Sequence, residues 1–105
     1  MKELVASLAL FAAATAPAYA SEALAQSKQC FSCHALDKEM PKAPSFKAIA
    51  RKYKGVANAE VMLADKVRVG GVGHWGSAPM PAAGPRPAVS EAEAKELAAW
   101  VLAQK

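Results

Sequence analysis

The chain has 105 residues and a formal net charge of +4 at pH 7. That length fits one small domain, and a modest basic excess without a recognition motif argues against nucleic-acid binding. The basic residues crowd one region, where they either keep the surface soluble or steer an acidic protein partner: Lys38, Lys42, Lys47, Arg51, Lys52 and Lys54.

Residues 1–20 are typical of a secretory signal peptide, with Lys2, an apolar run over 4–14 and small residues at Ala18 and Ala20. The run is shorter than the roughly 20 residues that span a bilayer. We therefore expect cleavage after Ala20, export to the periplasm and a mature domain of residues 21–105 without membrane insertion. An uncleaved anchor or a buried helix is the alternative.

Helical spacing dominates the expected mature domain. The first helix is predicted from Ser21 into the cysteine-containing stretch, and a loop broken by Pro41 and Pro44 follows. The second helix is predicted from Ser45, as N-cap, to Gly55. Its apolar positions recur at helical spacing and should face inward: Phe46, Ile49, Ala50 and Tyr53.

The third helix is predicted from Asn58, as N-cap, to Gly70. Residues 70–89 are rich in glycine and proline, and a long irregular segment in a small domain indicates function. The last helix begins at Ser90, whose spacing to Glu93 predicts a capping box. One stripe of this helix is predicted to belong to the core: Leu97, Trp100 and Val101.

The stretch QCFSCHA holds both cysteines, Cys30 and Cys33, with His34 directly after them. Four interpretations compete: a disulfide, a dithiol redox pair, half of a zinc site, or covalent haem attachment. Zinc normally needs four ligands, and this spacing suits no common finger. A redox dithiol would follow a strand, and a disulfide over so short a loop removes little chain entropy.

Covalent haem uses all three side chains. Cys30 and Cys33 would form two thioethers from one face of a helical turn, and His34 would ligate the iron. The C-x-x-C-H spacing is typical of c-type haem attachment, and a large apolar cofactor would also complete a core that is small for its chain. We predict one haem c per chain, bound through these residues.

The sixth iron ligand has four candidates: Met40, Met62, Met80 and His74. Met80 lies between two prolines, which fix the local backbone and suppress helix formation. A thioether held in such a loop, far along the chain from the histidine of the haem motif, suits a stable axial ligand. We predict Met80 as the ligand and regard His74 as its main rival.

The chain resembles the small bacterial class I cytochromes c of the c-551/c-552 type over nearly all of residues 21–105. Four stretches carry the resemblance: CFSCHALDKEM, PSFKAIARKYKG, KVRVGGVGHWGSAPMP and VSEAEAKELAAWVLAQK. It implies an all-α, compact class I cytochrome c fold, with about four helices wrapped around one covalently bound haem.

The resemblance also implies roles for individual residues. The carbonyl of Pro44 would accept the free N–H of the proximal histidine, and Trp75 and Lys66 would lie at a haem propionate. Trp100 would be the core tryptophan of the C-terminal helix, which crosses the N-terminal helix. After Met80 the sequence PAAGPRPAV is longer than the usual form and lacks the Asn or Gln that often contacts the methionine sulfur.

These expectations describe a monomeric electron carrier rather than an enzyme. Electrons would pass through a haem edge beside Cys33, within an apolar rim formed by Val72, Ala78 and Pro79. The resemblance implies redox partners such as a quinol-oxidising complex as donor and a terminal oxidase or nitrite reductase as acceptor. A haem enzyme or gas sensor with peroxidase-like activity, or a haem subunit of a larger respiratory complex, is the alternative.

Overall fold

The computed structural model describes residues 18–41, 43–71, 79–81 and 86–105. These ranges contain four α-helices, two isolated β-bridges and one 3-10 turn at Cys30–Ser32. The all-α prediction is confirmed. The helices are α1 (Ala18–Ser27), α2 (Phe46–Lys52), α3 (Ala59–Val69) and α4 (Glu91–Leu102).

The first helix ends earlier than the sequence predicted. It stops at Ser27, and Gln29 adopts left-handed backbone angles (φ 63°) before the 3-10 turn begins at Cys30. A left-handed residue cannot continue a right-handed helix, so the cysteine stretch forms a separate turn. At its other end α1 begins at Ala18, within the expected signal peptide of residues 1–20, of which 1–17 lie outside the described ranges.

Two helices begin at the predicted caps. The buried Ser45 hydroxyl accepts the Ala48 N–H at 3.0 Å and starts α2. At α4 the Ser90 hydroxyl accepts the Glu93 N–H at 3.1 Å, while the Glu93 carboxylate accepts the Ser90 N–H at 2.9 Å. These are the reciprocal bonds of a capping box. The α2 helix ends at Lys52, a little before the predicted stop at Gly55.

The prediction for the start of α3 is wrong in its detail. The helix begins at Ala59, but Asn58 has left-handed backbone angles (φ 62°) and makes no side-chain cap bond. A capping side chain normally reaches the helix from an extended residue, which this conformation prevents. Gly70 ends the helix as predicted, with a positive φ of 69°.

The core is centred on α4, which packs against α1, α2 and α3. Leu97, Trp100 and Val101 are buried in it, as predicted. The rings of Phe31, Phe46 and Trp100 form a cluster of edge-to-face pairs with centroids 5.1 to 6.1 Å apart. Each such pair contributes about 0.5–1.5 kcal/mol beyond its area burial.

Polar contacts also join α1 and Lys28, the residue after it, to α4 and the segment before α4. The Ser21 hydroxyl donates to the Glu96 carboxylate at 3.3 Å, and the Lys28 ammonium lies 3.4 Å from the Glu93 carboxylate. Lys28 donates to the Ala88 carbonyl as well, at 2.9 Å. Over the described ranges, no helix is both long enough and apolar enough to cross a membrane.

Candidate cofactor site

An apolar cavity lies beside α4, with an empty volume of about 770 Å³ that includes its mouth and the solvent there. The cysteine stretch, α2, α3, α4 and the segment at Met80 all contribute to its wall. The aliphatic and aromatic side chains of the described lining include Phe46, Ile49, Leu63, Val67, Leu97, Trp100 and Val101.

Both cysteines line this cavity as free thiols. The 3-10 turn at Cys30–Ser32 places Cys30 half-buried at its start and leaves Cys33 exposed just after its end. Burial raises the pKa of the Cys30 thiol, and the nearby Arg86 guanidinium partly opposes that shift. The thiols are therefore available for bonds to a group within the cavity.

His34 also lines the cavity, and its ring is held on two sides. Its Nδ1 atom lies 2.7 Å from the Pro44 carbonyl oxygen. Since a carbonyl only accepts hydrogen bonds, Nδ1 must carry the proton and Nε2 keeps a free lone pair. The ring stacks on Phe46 with centroids 5.0 Å apart. Burial lowers the pKa of His34 despite the opposing effect of the bond to Pro44, which favours the neutral, metal-binding form.

Among the methionines proposed as sixth ligand, Met80 alone is part of the cavity wall; Met40 and Met62 are described but do not line it. Met80 is half-buried and forms an isolated antiparallel bridge with Gly71. Its N–H donates to the Gly71 carbonyl at 2.9 Å, and its own carbonyl accepts the Gly71 N–H at 3.0 Å. The rival His74 lies outside the described residues.

Two cations lie in the cavity wall, Lys66 from α3 and Arg86 from the segment before α4. The described lining contains no carboxylate, so it suits a ligand that carries negative groups. The resemblance had pointed to Lys66, but sequence reasoning missed Arg86. A lone arginine between prolines has no periodicity that would assign it to a face, and its acceptors, the carbonyls of Pro81 and Val67, lie in irregular chain and in another helix.

The apolar stripe of α4 has two roles. Sequence analysis assigned Leu97, Trp100 and Val101 to the core rather than to a binding face, but these buried residues also form cavity wall. Helical periodicity reports burial without showing whether a protein side chain or a ligand provides it. Several other predicted residues lie outside the described ranges: Lys42, Val72, Trp75 and Ala78.

Comparison with known proteins identifies the family of the chain and, with it, the cofactor. The family model for cytochrome c matches residues 19–105. The chain belongs to the cytochrome c family. Cytochromes c of this family hold haem c, so iron and covalently attached haem are its cofactor, consistent with the C-x-x-C-H stretch at Cys30 and Cys33.

Curated relatives agree with this assignment. The chain is 50% identical to a cytochrome c-551 of Azotobacter vinelandii over 84 residues, which cover 80% of this chain and 96% of the relative. It is 46% identical to a cytochrome c-551 of Stutzerimonas stutzeri over 107 residues, covering 99% and 98%. These relatives are electron carriers rather than enzymes, and their partners are redox proteins.

The fold is likewise that of solved class I cytochromes c. The crystal structure of Nitrosomonas europaea cytochrome c552 superposes with a TM-score of 0.72 at 38% identity, covering 80% of this chain and 99% of that one. The class 1 cytochrome MtoD of Sideroxydans lithotrophicus gives a TM-score of 0.69 at 31% identity, covering 86% and 98%. The predicted compact class I cytochrome c fold is confirmed.

The residues present fit a haem. The apolar cavity would receive its ring, the two free thiols in the wall would attach it covalently, and the Nε2 lone pair of His34 would be available to iron. A thioether from Met80 lines the same cavity. The chain is thus a cytochrome that carries single electrons, and its own residues form an apolar wall suited to the haem.

Proposed function

We propose that the chain is a periplasmic electron carrier whose single haem c is attached through Cys30 and Cys33 and ligated by His34 and Met80. One observation supports this most strongly: the imidazole and the Met80 side chain line the same apolar cavity as the two thiols. Bound haem would supply a one-electron iron couple, while the protein orients the ligands and excludes water.

Each proposed ligand has a defined task. The bond from His34 Nδ1–H to the Pro44 carbonyl fixes the tautomer and the ring plane, and it raises the basicity of Nε2. The Met80 thioether, a soft donor, favours the ferrous state and raises the reduction potential relative to more basic ligand pairs. With both axial positions filled, little reorganisation would accompany electron transfer.

Basic and aromatic side chains would hold the carboxylate side of the haem. Lys66 lines the cavity, and we assign its ammonium to a propionate by the family resemblance. Trp75 is given the same role on the resemblance alone, because it lies outside the described residues. Arg86 supplies a second cation to the wall, and its separate role is considered below.

Electron exchange would take place where the cofactor comes nearest to the surface. Cys33 and Pro79 are both exposed, which favours an exit at this edge, and brief docking of redox proteins suits a carrier. By the family resemblance, a quinol-oxidising complex is the proposed donor, and a terminal oxidase or nitrite reductase the proposed acceptor. The monomer would dock them in turn.

Export follows from the proposed signal peptide and has its own test. Cleavage after Ala20 would leave Ser21, a buried residue bonded to Glu96, as the first residue of the mature domain. Intact-mass measurement of protein isolated from the periplasm should give a chain that begins at Ser21 and carries one haem. A mass that retains residues 1–20 would refute the cleavage site.

Covalent attachment and the sixth ligand are tested separately. Haem should stay with the protein in acid acetone, since two thioethers hold it; extraction would exclude attachment through Cys30 and Cys33. The oxidised protein should show the weak visible band that reports a sulfur–iron bond in His/Met-ligated haem. Met80→Ala should abolish that band, whereas Met62→Ala and His74→Ala should keep it.

The same spectra address the alternative function. If the band is absent in the unmodified protein and added carbon monoxide binds the ferrous form at once, the iron has an open position. A haem enzyme or gas sensor would then replace the electron carrier as the better account. If His74→Ala abolishes the low-spin spectrum while Met80→Ala leaves it unchanged, the axial assignment is reversed.

A further inference from the structure

Arg86 ties the end of α3 to the segment that carries Met80. Its Nη2 donates to the carbonyl of Val67, and its Nε donates to the carbonyl of Pro81 at 3.1 Å. Val67 lies in the last turn of α3, and Pro81 directly follows Met80. One side chain therefore joins two backbone segments across the cavity wall.

Both acceptors are groups that need a partner. The last four carbonyls of a helix have no intrahelical donor, and Val67 supplies one of these four in α3. A cation at this position also interacts favourably with the helix dipole. Pro81 has no N–H, so its carbonyl is the one polar backbone group through which this residue can be held by hydrogen bonding.

The bridge to Gly71 completes a three-point attachment. Met80 exchanges two backbone hydrogen bonds with Gly71, and Arg86 holds the next carbonyl along the chain. The flanking prolines, Pro79 and Pro81, restrict the backbone on either side. The position of Met80 is therefore restrained by its two hydrogen bonds to Gly71 and by the Arg86 side chain, which joins the neighbouring Pro81 to Val67 of α3.

The charge of Arg86 also reaches the cavity. The half-buried side chain is part of the cavity wall, and its guanidinium lowers the pKa of the Cys30 thiol against the larger effect of burial. An arginine stays protonated at every working pH. A positive charge beside a poorly solvated site disfavours a further positive charge on the iron.

We propose that Arg86 is a positioning residue for the Met80 thioether and that its fixed charge raises the reduction potential of the haem. The inference rests on the proposed function, because it takes Met80 as the axial ligand. Two separable effects follow. The hydrogen bonds slow the departure of the sulfur from iron, and the charge stabilises the ferrous state.

The test compares Arg86→Met, which removes both donors and charge, with Arg86→Lys, which keeps the charge but not the two-armed guanidinium. Arg68→Met is the matched control. Arg68 is an exposed arginine in the last turn of α3, the turn that also contains Val67, the acceptor of Arg86. The first measurement is the rate at which imidazole displaces the sulfur in the oxidised holoprotein. The second is the reduction potential.

Imidazole should displace the sulfur about tenfold faster in Arg86→Met, as expected for the loss of hydrogen bonds from a charged donor. The Arg86→Lys rate should lie between that of Arg86→Met and that of the unmodified protein. The potential should fall in Arg86→Met and be restored in Arg86→Lys. Arg68→Met should match the unmodified protein in rate.

The possible outcomes distinguish a failure of the role proposed for Arg86 from a failure of Met80 as the axial ligand. If the unmodified protein shows the sulfur–iron band and Arg86→Met keeps both its imidazole rate and its potential, the role of Arg86 is overturned while Met80 remains the ligand. If Arg86→Met fails to assemble with haem, an Arg86→Lys variant with the unmodified imidazole rate overturns the positioning role. Absence of the band in the unmodified protein overturns both proposals.

Discussion

The Nδ1 atom of His34 donates a hydrogen bond of 2.7 Å to the carbonyl oxygen of Pro44, ten residues along the chain. Pro44 directly precedes Ser45, the buried N-cap of α2. The start of α2 therefore positions the acceptor, and the acceptor selects the tautomer of the imidazole. The orientation of His34 is built into the fold of the protein chain itself.

Replacement of Pro44 by Ala should lower the stability of the protein but leave the hydrogen bond of the His34 imidazole in place, because its acceptor is a backbone carbonyl that alanine also has. We expect the free energy of unfolding to fall by about 0.5–1 kcal/mol, since the unfolded chain gains freedom. The Nδ1 proton of His34 should stay protected from exchange with water in NMR spectra of the holoprotein. Rapid exchange of that proton in Pro44→Ala would show that the proline ring itself is required.

Gly71 lies where a side chain would disturb the Met80 segment. Its φ is 147°, and a Cβ atom would contact the Lys66 ammonium. Gly71→Ala should cost about 1–2 kcal/mol of stability through backbone strain and should weaken the sulfur–iron band. Gly55→Ala is the control, because Gly55 also has a positive φ, of 75°, but has open space around it.

Gly55→Ala should therefore lose stability in denaturant titrations without a change in the band. The two variants separate strain from an effect on the proposed ligand. An unchanged band in Gly71→Ala, at reduced stability, would mean that the bridge to Gly71 does not control the position of Met80.

The capping box of α4 should make stability depend on pH. The pKa of Glu93 is lowered from 4.5, first by the bond from the Ser90 N–H and further by Lys28. Because the folded-state pKa is below that of the unfolded chain, this contribution is present above pH 4.5 and is lost as pH falls through the folded-state pKa.

Glu93→Ala should thus lower the Tm at neutral pH, with a difference from the unmodified protein that shrinks in acid. Thermal unfolding between about pH 3.5 and 7 measures it. Glu91→Ala removes the same charge from the same first turn and should have a smaller effect. A Tm difference for Glu93→Ala that stays constant over this range would contradict the assignment to an ionised cap.

Sequence reasoning was accurate where structure is set by neighbouring residues. Ser45 and the Ser90–Glu93 pair begin their helices because a cap needs only a side chain and the next turn. Asn58 was assigned the same role wrongly: it adopts a left-handed backbone, which asparagine tolerates better than most residues, and its side chain makes no cap bond. Gln29 also adopts a left-handed backbone, and it separates α1 from the cysteines, which helical spacing in the sequence did not predict.

At the site, residues within a short motif could be predicted from the sequence, whereas a residue held by long-range contacts could not. Cys30, Cys33 and His34 were predicted together because one short string encodes them all, and the three residues line a common cavity. Arg86 escaped notice because its acceptors lie in α3 and beside Met80, and no spacing rule relates them. Contacts of that kind depend on tertiary structure.

The basic residues after the haem motif should influence the rate of electron exchange if they steer an acidic partner. Lys38 is exposed in the loop that follows His34. Lys38→Glu should slow reduction by such a partner at low salt and lose its effect as screening shortens to about 8 Å at physiological ionic strength. Lys105→Glu, an exposed residue at the C-terminus, makes the same change of charge as a control.

The measurement is stopped-flow reduction between about 10 and 200 mM salt. Equal rates for Lys38→Glu and Lys105→Glu at every salt concentration would assign the basic residues to solubility alone. Docking through the apolar rim would then be sufficient. The visible spectrum should be unchanged in both variants, because neither residue lines the cavity.

His34 and Met80 are proposed as the two axial ligands of one haem. Sequence-specific NMR assignment of the methionine methyl groups in the reduced holoprotein tests this proposal directly, because the porphyrin ring current shifts a methyl above the ring far upfield. We expect the Met80 methyl alone to be shifted in this way, while the methyl groups of Met40 and Met62 resonate with ordinary methyl groups. A shifted methyl from either of those residues, or ring protons of His74 shifted in place of any methionine methyl, would contradict the proposal.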